Sequence, residues 1–143
     1  MAIGYRCDAE LGCAFIVWSS QVTSDEWREH RQRLFADPTF LPGLSVLLDL
    51  SAAGGLKRFN SVVVEELADA LRAPGVGSMN IAVIPNAAWY TTHQSEVLVG
   101  RPEVIAVAFP DTFAACAWLG IPADAAVTIL DQLRDSIADD PNY

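Results

Sequence analysis

The stretch LSVLLDLSAAGG, Leu44 to Gly55, decides the fold. From Leu44 to Leu50 it has no helical periodicity, and it is too apolar for a strand with one face in water. It therefore predicts a strand buried on both faces, as in a parallel sheet. The small residues and glycines that follow predict a loop from Ser51 to Phe59. MNIAVIP (79–85) and EVIAVAFP (103–110) have the same buried character and predict two further strands.

Upstream, AIGYRCD (2–8) and CAFIVWS (13–19) are β-favouring runs separated by AELG, whose glycine suits a tight turn; they predict a hairpin. In VTSDEWREHRQRLFADP (22–38), Thr23 with Glu26 three residues later is a capping box. Trp27, His30, Leu34 and Phe35 share one face of the helix it opens. Downstream, Asn60 or Ser61 caps a helix over VVVEELADALRAPG, with Val63, Leu67, Ala70 and Leu71 on its apolar face. NAAWYTTHQSEVLVG (86–100) predicts a helix of weak periodicity. Asp111 caps a short helix over TFAACAWLG, and Pro122 opens a last helix striped by Ile129, Leu130, Leu133 and Ile137. The order β-β-α-β-α-β-α-β-α-α defines an α/β domain spanning residues 1–143. A mainly parallel mixed sheet of about five strands carries an N-terminal β-hairpin, and residues 122–138 add a C-terminal helix to the core.

The chain has 143 residues, 52% of them apolar and 19% charged, enough to bury a core without staples. Its apolar runs are too short to cross a bilayer, and residues 1–20 lack the charged start and apolar core of a signal peptide. The expectation is a cytoplasmic protein without a transmembrane segment. Cys7, Cys13 and Cys116 have no CxxC spacing and are expected to be reduced, packed thiols, although Cys7 and Cys13 could face each other across the hairpin. The net charge of −9 argues against nucleic acid, which requires a basic face. Residues 61–143 carry a net of −8, so Arg28, Arg31, Arg33, Lys57 and Arg58 are the local concentration of positive charge. They form either a solvated face or a receiver for an acidic partner or anionic ligand.

In open α/β sheets, sites gather at the carboxyl ends of the strands. Here those ends offer Asp49, Ser51, Lys57, Arg58, Phe59 and Asn60, and then Asn86, Trp89 and Tyr90, as candidate ligand-binding residues. The glycine pair Gly54-Gly55 lacks the spacing of a phosphate loop, and no GxGxxG joins a strand to a helix. His30 and His93 have no companions at metal-ligand spacing, and Ser51 lacks the GxSxG elbow. No catalytic residue, metal site or cofactor is read. Asp49 at a strand end is expected to accept hydrogen bonds from loop amides.

The hairpin, VTSDEWREHRQRLFADPTFLPGLSVLLDLS, NIAVIP and VIAVAFPDTFAACAWLG together resemble the SpoIIAA-like, STAS-related family of small bacterial proteins, over about residues 3–120. The resemblance implies a β/α superhelix with a mixed sheet and helices packed largely on one side. It also implies a regulatory module without enzymatic activity, like the STAS-type anti-sigma-factor antagonist domains. In those, a serine at the start of the second helix is phosphorylated within an Asp-Ser-Ser-Gly-like motif. The corresponding place here is Ser61, where Asn60 replaces the aspartate and Val62-Val63 follow. Other relatives of the fold carry lipid-like ligands, which makes a carrier of a small apolar or anionic molecule the alternative, with Phe59, Trp89, Tyr90 and Trp27 lining its pocket. The apolar stripe of the last helix must bury itself either against its own domain or against a second copy in a homodimer.

Overall fold

The computed structural model describes residues 3–19, 24–41, 43–52, 79–85, 97–100 and 104–138. Strands β1 (Ile3–Asp8) and β2 (Cys13–Ser19) form the expected hairpin, with Ile3 opposite Trp18 and Asp8 opposite Cys13. Gly12, at φ 67°, supplies the left-handed residue of the turn. The Asp8 carboxylate accepts from the Leu11 N–H at 3.0 Å, and the Gly12 carbonyl accepts from Ser45 N–H at 2.9 Å. That second bond joins the turn to the start of the next strand.

Helix α1 (Ser24–Ala36) leads to β3 (Ser45–Ala52), followed by β4 (Met79–Ile84), β5 (Val97–Gly100) and β6 (Val104–Ala108). Helices α2 (Thr112–Leu119) and α3 (Ala123–Ala138) close the described chain. Among the described residues the strands make one sheet of six in the order β1-β2-β3-β4-β6-β5. β2, β3, β4 and β6 run parallel, and β1 and β5 lie antiparallel at the two edges. The α/β class, the mixed and mainly parallel sheet and the N-terminal hairpin all follow the sequence pattern.

Alternation along the buried strands divides the core in two. One face carries Ala14, Ile16 and Trp18, then Val46, Leu48 and Leu50, then Met79, Ile81 and Val83; Trp27 and Leu34 of α1 cover it. The other carries Phe15, Val17, Leu47, Ala82 and Ile84, covered by Ala115 and Cys116 of α2 and by Ala126, Ile129, Leu130 and Ile137 of α3. Val46 to Leu50 are all buried, as a strand covered on both faces requires.

Several expectations are corrected. Among the described residues the sheet holds one strand beyond the five or so expected, because Val97–Gly100 pairs with β6 where the sequence pointed to the end of a helix. Two β-branched valines in four residues favour extended backbone, and the pattern of the longer window concealed them. Residues 86–96 of that expected helix, and all of the helix expected after Asn60, lie outside the described residues. Ser51 is within β3 and not in a loop, since pairing continues to Ala52 opposite Ser19, past an irregularity after Val17. Of the described helices, α1 covers one face and α2 and α3 cover the other. Cys7 and Cys13 do not face each other: Cys7 sits opposite Ala14, the two thiols take opposite faces, and all three cysteines are free.

The α3 stripe finds its cover inside the molecule. Ile129, Leu130 and Ile137 are buried against the sheet, each contributing about 2 kcal/mol. The stripe therefore supplies no separate reason for a homodimer.

Candidate functional site

At the carboxyl end of β3 the register places Asp49 between Val17 of β2 and Ile84 of β4. Both neighbours are apolar and buried, and Asp49 itself is only 1% exposed. A carboxylate there requires partners, because desolvation of an unpaired charge costs several kcal/mol. One oxygen, Oδ1, accepts from Ser51 twice, from the backbone N–H at 2.9 Å and from the hydroxyl at 2.6 Å. The other, Oδ2, accepts from the Arg134 guanidinium, an ion pair that crosses from the sheet to α3. Arg134 also donates to Asp131 one turn earlier on α3, at 2.7 Å.

The helix brings Arg134 to this place through its period. It follows Leu130 by four residues and Leu133 by one, so it shares the stripe that faces the sheet. Its side chain is 34% exposed while that of Asp49 is 1% exposed, so the pair runs from the interior to the surface. The expected acceptance from loop amides is met in altered form, by the amide and hydroxyl of a strand residue. Sequence reasoning missed Arg134. The available signal was a lone cation inside an apolar stripe, in a region holding only three Lys/Arg.

Of the other nominated residues, Lys57, Arg58, Phe59, Asn60, Ser61, Asn86, Trp89, Tyr90 and His93 lie outside the described residues. Only Asp49 and Ser51 of the nominated edge are thus seen together. At the same edge, Ser19 ends β2 with its hydroxyl buried and without a hydrogen-bond partner.

A second polar constellation occupies the opposite face, beneath α1. Four rings follow one another: Tyr5 to His30 at 5.5 Å between centroids, His30 to Trp27 at 6.0 Å, and Trp27 to Trp18 at 5.5 Å. The Tyr5 hydroxyl donates to Asp37 at 2.7 Å, and Asp37 also accepts from the N–H and hydroxyl of Thr39 at 2.8 and 2.5 Å. Those hydrogen bonds hold the Asp37 carboxyl below its ordinary range. Burial, reinforced by Asp37, pushes the Tyr5 phenol up to about 12. His30 is 2% exposed; burial, helped by the Arg33 charge, lowers its pKa to about 4, so the imidazole is neutral at pH 7.

Among the described residues no three His, Cys, Asp or Glu side chains group as a metal site, and no helix is long and apolar enough to cross a membrane. Comparison with family models, with curated proteins and with solved structures finds no match.

Proposed function

We propose that the protein is a non-enzymatic binding or regulatory module, acting in the manner of the STAS-type anti-sigma-factor antagonist domains that its sequence resembles. The observation that carries this reading is the state of Asp49. In an α/β sheet the carboxyl ends of the strands are where a reactive group is ordinarily presented. Here the ionisable side chain at that place is withdrawn from solvent and bound to Ser51 and Arg134. The Ser51 hydroxyl donates to this same carboxylate, and His30, the described histidine, lies buried on the other face of the sheet. Such an arrangement fastens a helix to a sheet, which supports a structural role for this carboxylate. The acidic balance of the chain supports a protein or small-molecule partner over nucleic acid.

The test is turnover. Pure protein offered ester, phosphomonoester and nucleotide substrates is expected to show none above background. Activity that vanishes in Asp49→Ala, with folding intact by circular dichroism, would overturn the reading. A phospho-switch at Ser61 belongs to the same proposal and is checked by incubating the protein with serine kinases and mapping the phosphate. A second reading, a carrier of a small apolar or anionic ligand at this edge, is favoured by the unpartnered buried hydroxyl of Ser19.

A further inference from the structure

We infer that the outer edge of β1 binds a second copy of this chain, the two β1 strands pairing antiparallel about Cys7 so that the sheet continues from one protomer into the next. Such pairing is independent of the proposed function.

β1 stands at one end of the sheet, and among the described residues its strand neighbour is β2 alone. Successive residues of an antiparallel strand direct their N–H and C=O groups to alternate sides, so half of those of Ile3–Asp8 turn away from β2. Edges are ordinarily blunted by shortness, a bulge or proline. β5, at the other end, has four residues and a register shift between Val97 and Val99. β1 has six, without proline, and an unbroken register against β2 from Ile3 to Asp8. Of the two edges, β1 is the one a further strand can extend.

Its side chains define that strand. Arg6 and Asp8 are two residues apart and share the face on which Arg6 meets Gln132 of α3. Arg6 is exposed, and Gln132, which accepts from its Nη1, is neutral. Asp8 is held through Oδ1, by the Leu11 N–H. In a two-fold antiparallel pair, opposite residues both turn their backbone groups to each other, so the axis falls on a residue. An axis at Arg6 would set the two cations against each other, and one at Tyr5 would set Arg6 against Gly4. An axis at Cys7 sets each Arg6 against Asp8 of the second copy, on both sides of the axis, and opposes no like charges. β1 is thus complementary in charge to itself. The same axis brings the two Cys7 residues opposite one another, with Cα atoms about 4.5–5.5 Å apart, a separation that a disulfide spans. Cys13 and Cys116 are 0% and 1% exposed while Cys7 is half-buried, so Cys7 is the thiol an oxidant reaches.

The test begins with sedimentation velocity of the reduced protein over a dilution series, where a reversible monomer–dimer equilibrium is expected. Arg6→Glu opposes carboxylates on both sides of the axis and should weaken the dimer by about tenfold. Asp8→Arg opposes cations and should do the same. Mixed together, the two variants should form a heterodimer as tight as the parent dimer, because both opposed pairs are again of opposite sign. Copper phenanthroline, as oxidant, should link the parent dimer through a disulfide that Cys7→Ser abolishes. A parent that sediments as a monomer throughout, or a dimer indifferent to Arg6→Glu, would overturn the inference. So would a mixture that stays monomeric while both variants keep the parent's circular dichroism. Should Asp8→Arg, which also gives up the Leu11 bond, fail to fold, the disulfide decides: its presence in the oxidised dimer upholds the pairing and its absence overturns it.

Discussion

Between Val17 and Ile84, in the row of side chains beneath α3, the ordinary occupant would be apolar, and Asp49 stands there instead. Its partners are unequal. Ser51 is supplied by the same strand two residues on, whereas Arg134 arrives from α3 and is one-third exposed. Removing the cation leaves a buried carboxylate without a counter-ion, a change that costs 3–5 kcal/mol in fully buried pairs and less where solvent reaches one partner. Arg134→Met is therefore expected to lower stability by about 2 kcal/mol in urea denaturation. Asp49→Asn added to Arg134→Met should recover part of that loss; a double variant no more stable than the single one would refute the pairing. His30 gives a pH effect of definite sign. With its pKa lowered in the fold from 6.5 to about 4, the unfolded chain takes up a proton in that window that the native protein refuses. Stability thus falls as pH drops from 6.5 towards 4, by up to about 3 kcal/mol. His30→Phe should flatten that part of the profile relative to the parent, and an unchanged slope would show that other groups set it.

Among the elements, α2 shows how far local sequence carries. Asp111 was legible as its cap, and its carboxylate accepts from Ala114 N–H at 2.8 Å. Gly120 was legible as its stop; at φ 74° it turns the chain so that its own N–H and that of Ile121 both reach the Cys116 carbonyl, at 2.8 and 3.1 Å. No atom lies within 4 Å of the place a Gly120 Cβ would take, so Gly120→Ala meets only backbone strain. A loss of about 1 kcal/mol is expected from it, and a similar loss from Asp111→Ala, both read as shifts in the urea midpoint. The buried strands were legible for the same local reason, since Val46 to Leu50 advertise burial on both faces. β5 was not, because an edge strand of four residues is created by its neighbour β6 more than by its own pattern. Arg134 was illegible for another reason: it acquires its meaning from Asp49, 85 positions earlier, and its place in the apolar stripe gives no sign of which distant residue it meets.

Across the whole molecule, α3 returns to the beginning of the chain. Arg6 of β1 donates to Gln132 at 3.0 Å, and a Cβ on Gly4 would stand 3.1 Å from Ile137 Cδ1 and 3.2 Å from its Cγ1. The glycine lets the last helix lie close on the first strand. Gly4→Val would have to displace a side chain that is 5% exposed in a packed layer, with an expected loss of about 2 kcal/mol in urea denaturation. Ile137→Ala in the Gly4→Val background should restore part of it. A Gly4→Val protein as stable as the parent would show that α3 shifts freely on the sheet. That meeting of β1 with α3 also bears on the order of synthesis. β1 and β2 adjoin in sequence and can pair as soon as they are synthesised, yet Arg6 meets Gln132 across 126 positions. During synthesis Phe15 and Val17 can gain their cover from Ile129, Leu130 and Ile137 only after more than a hundred further residues have been added.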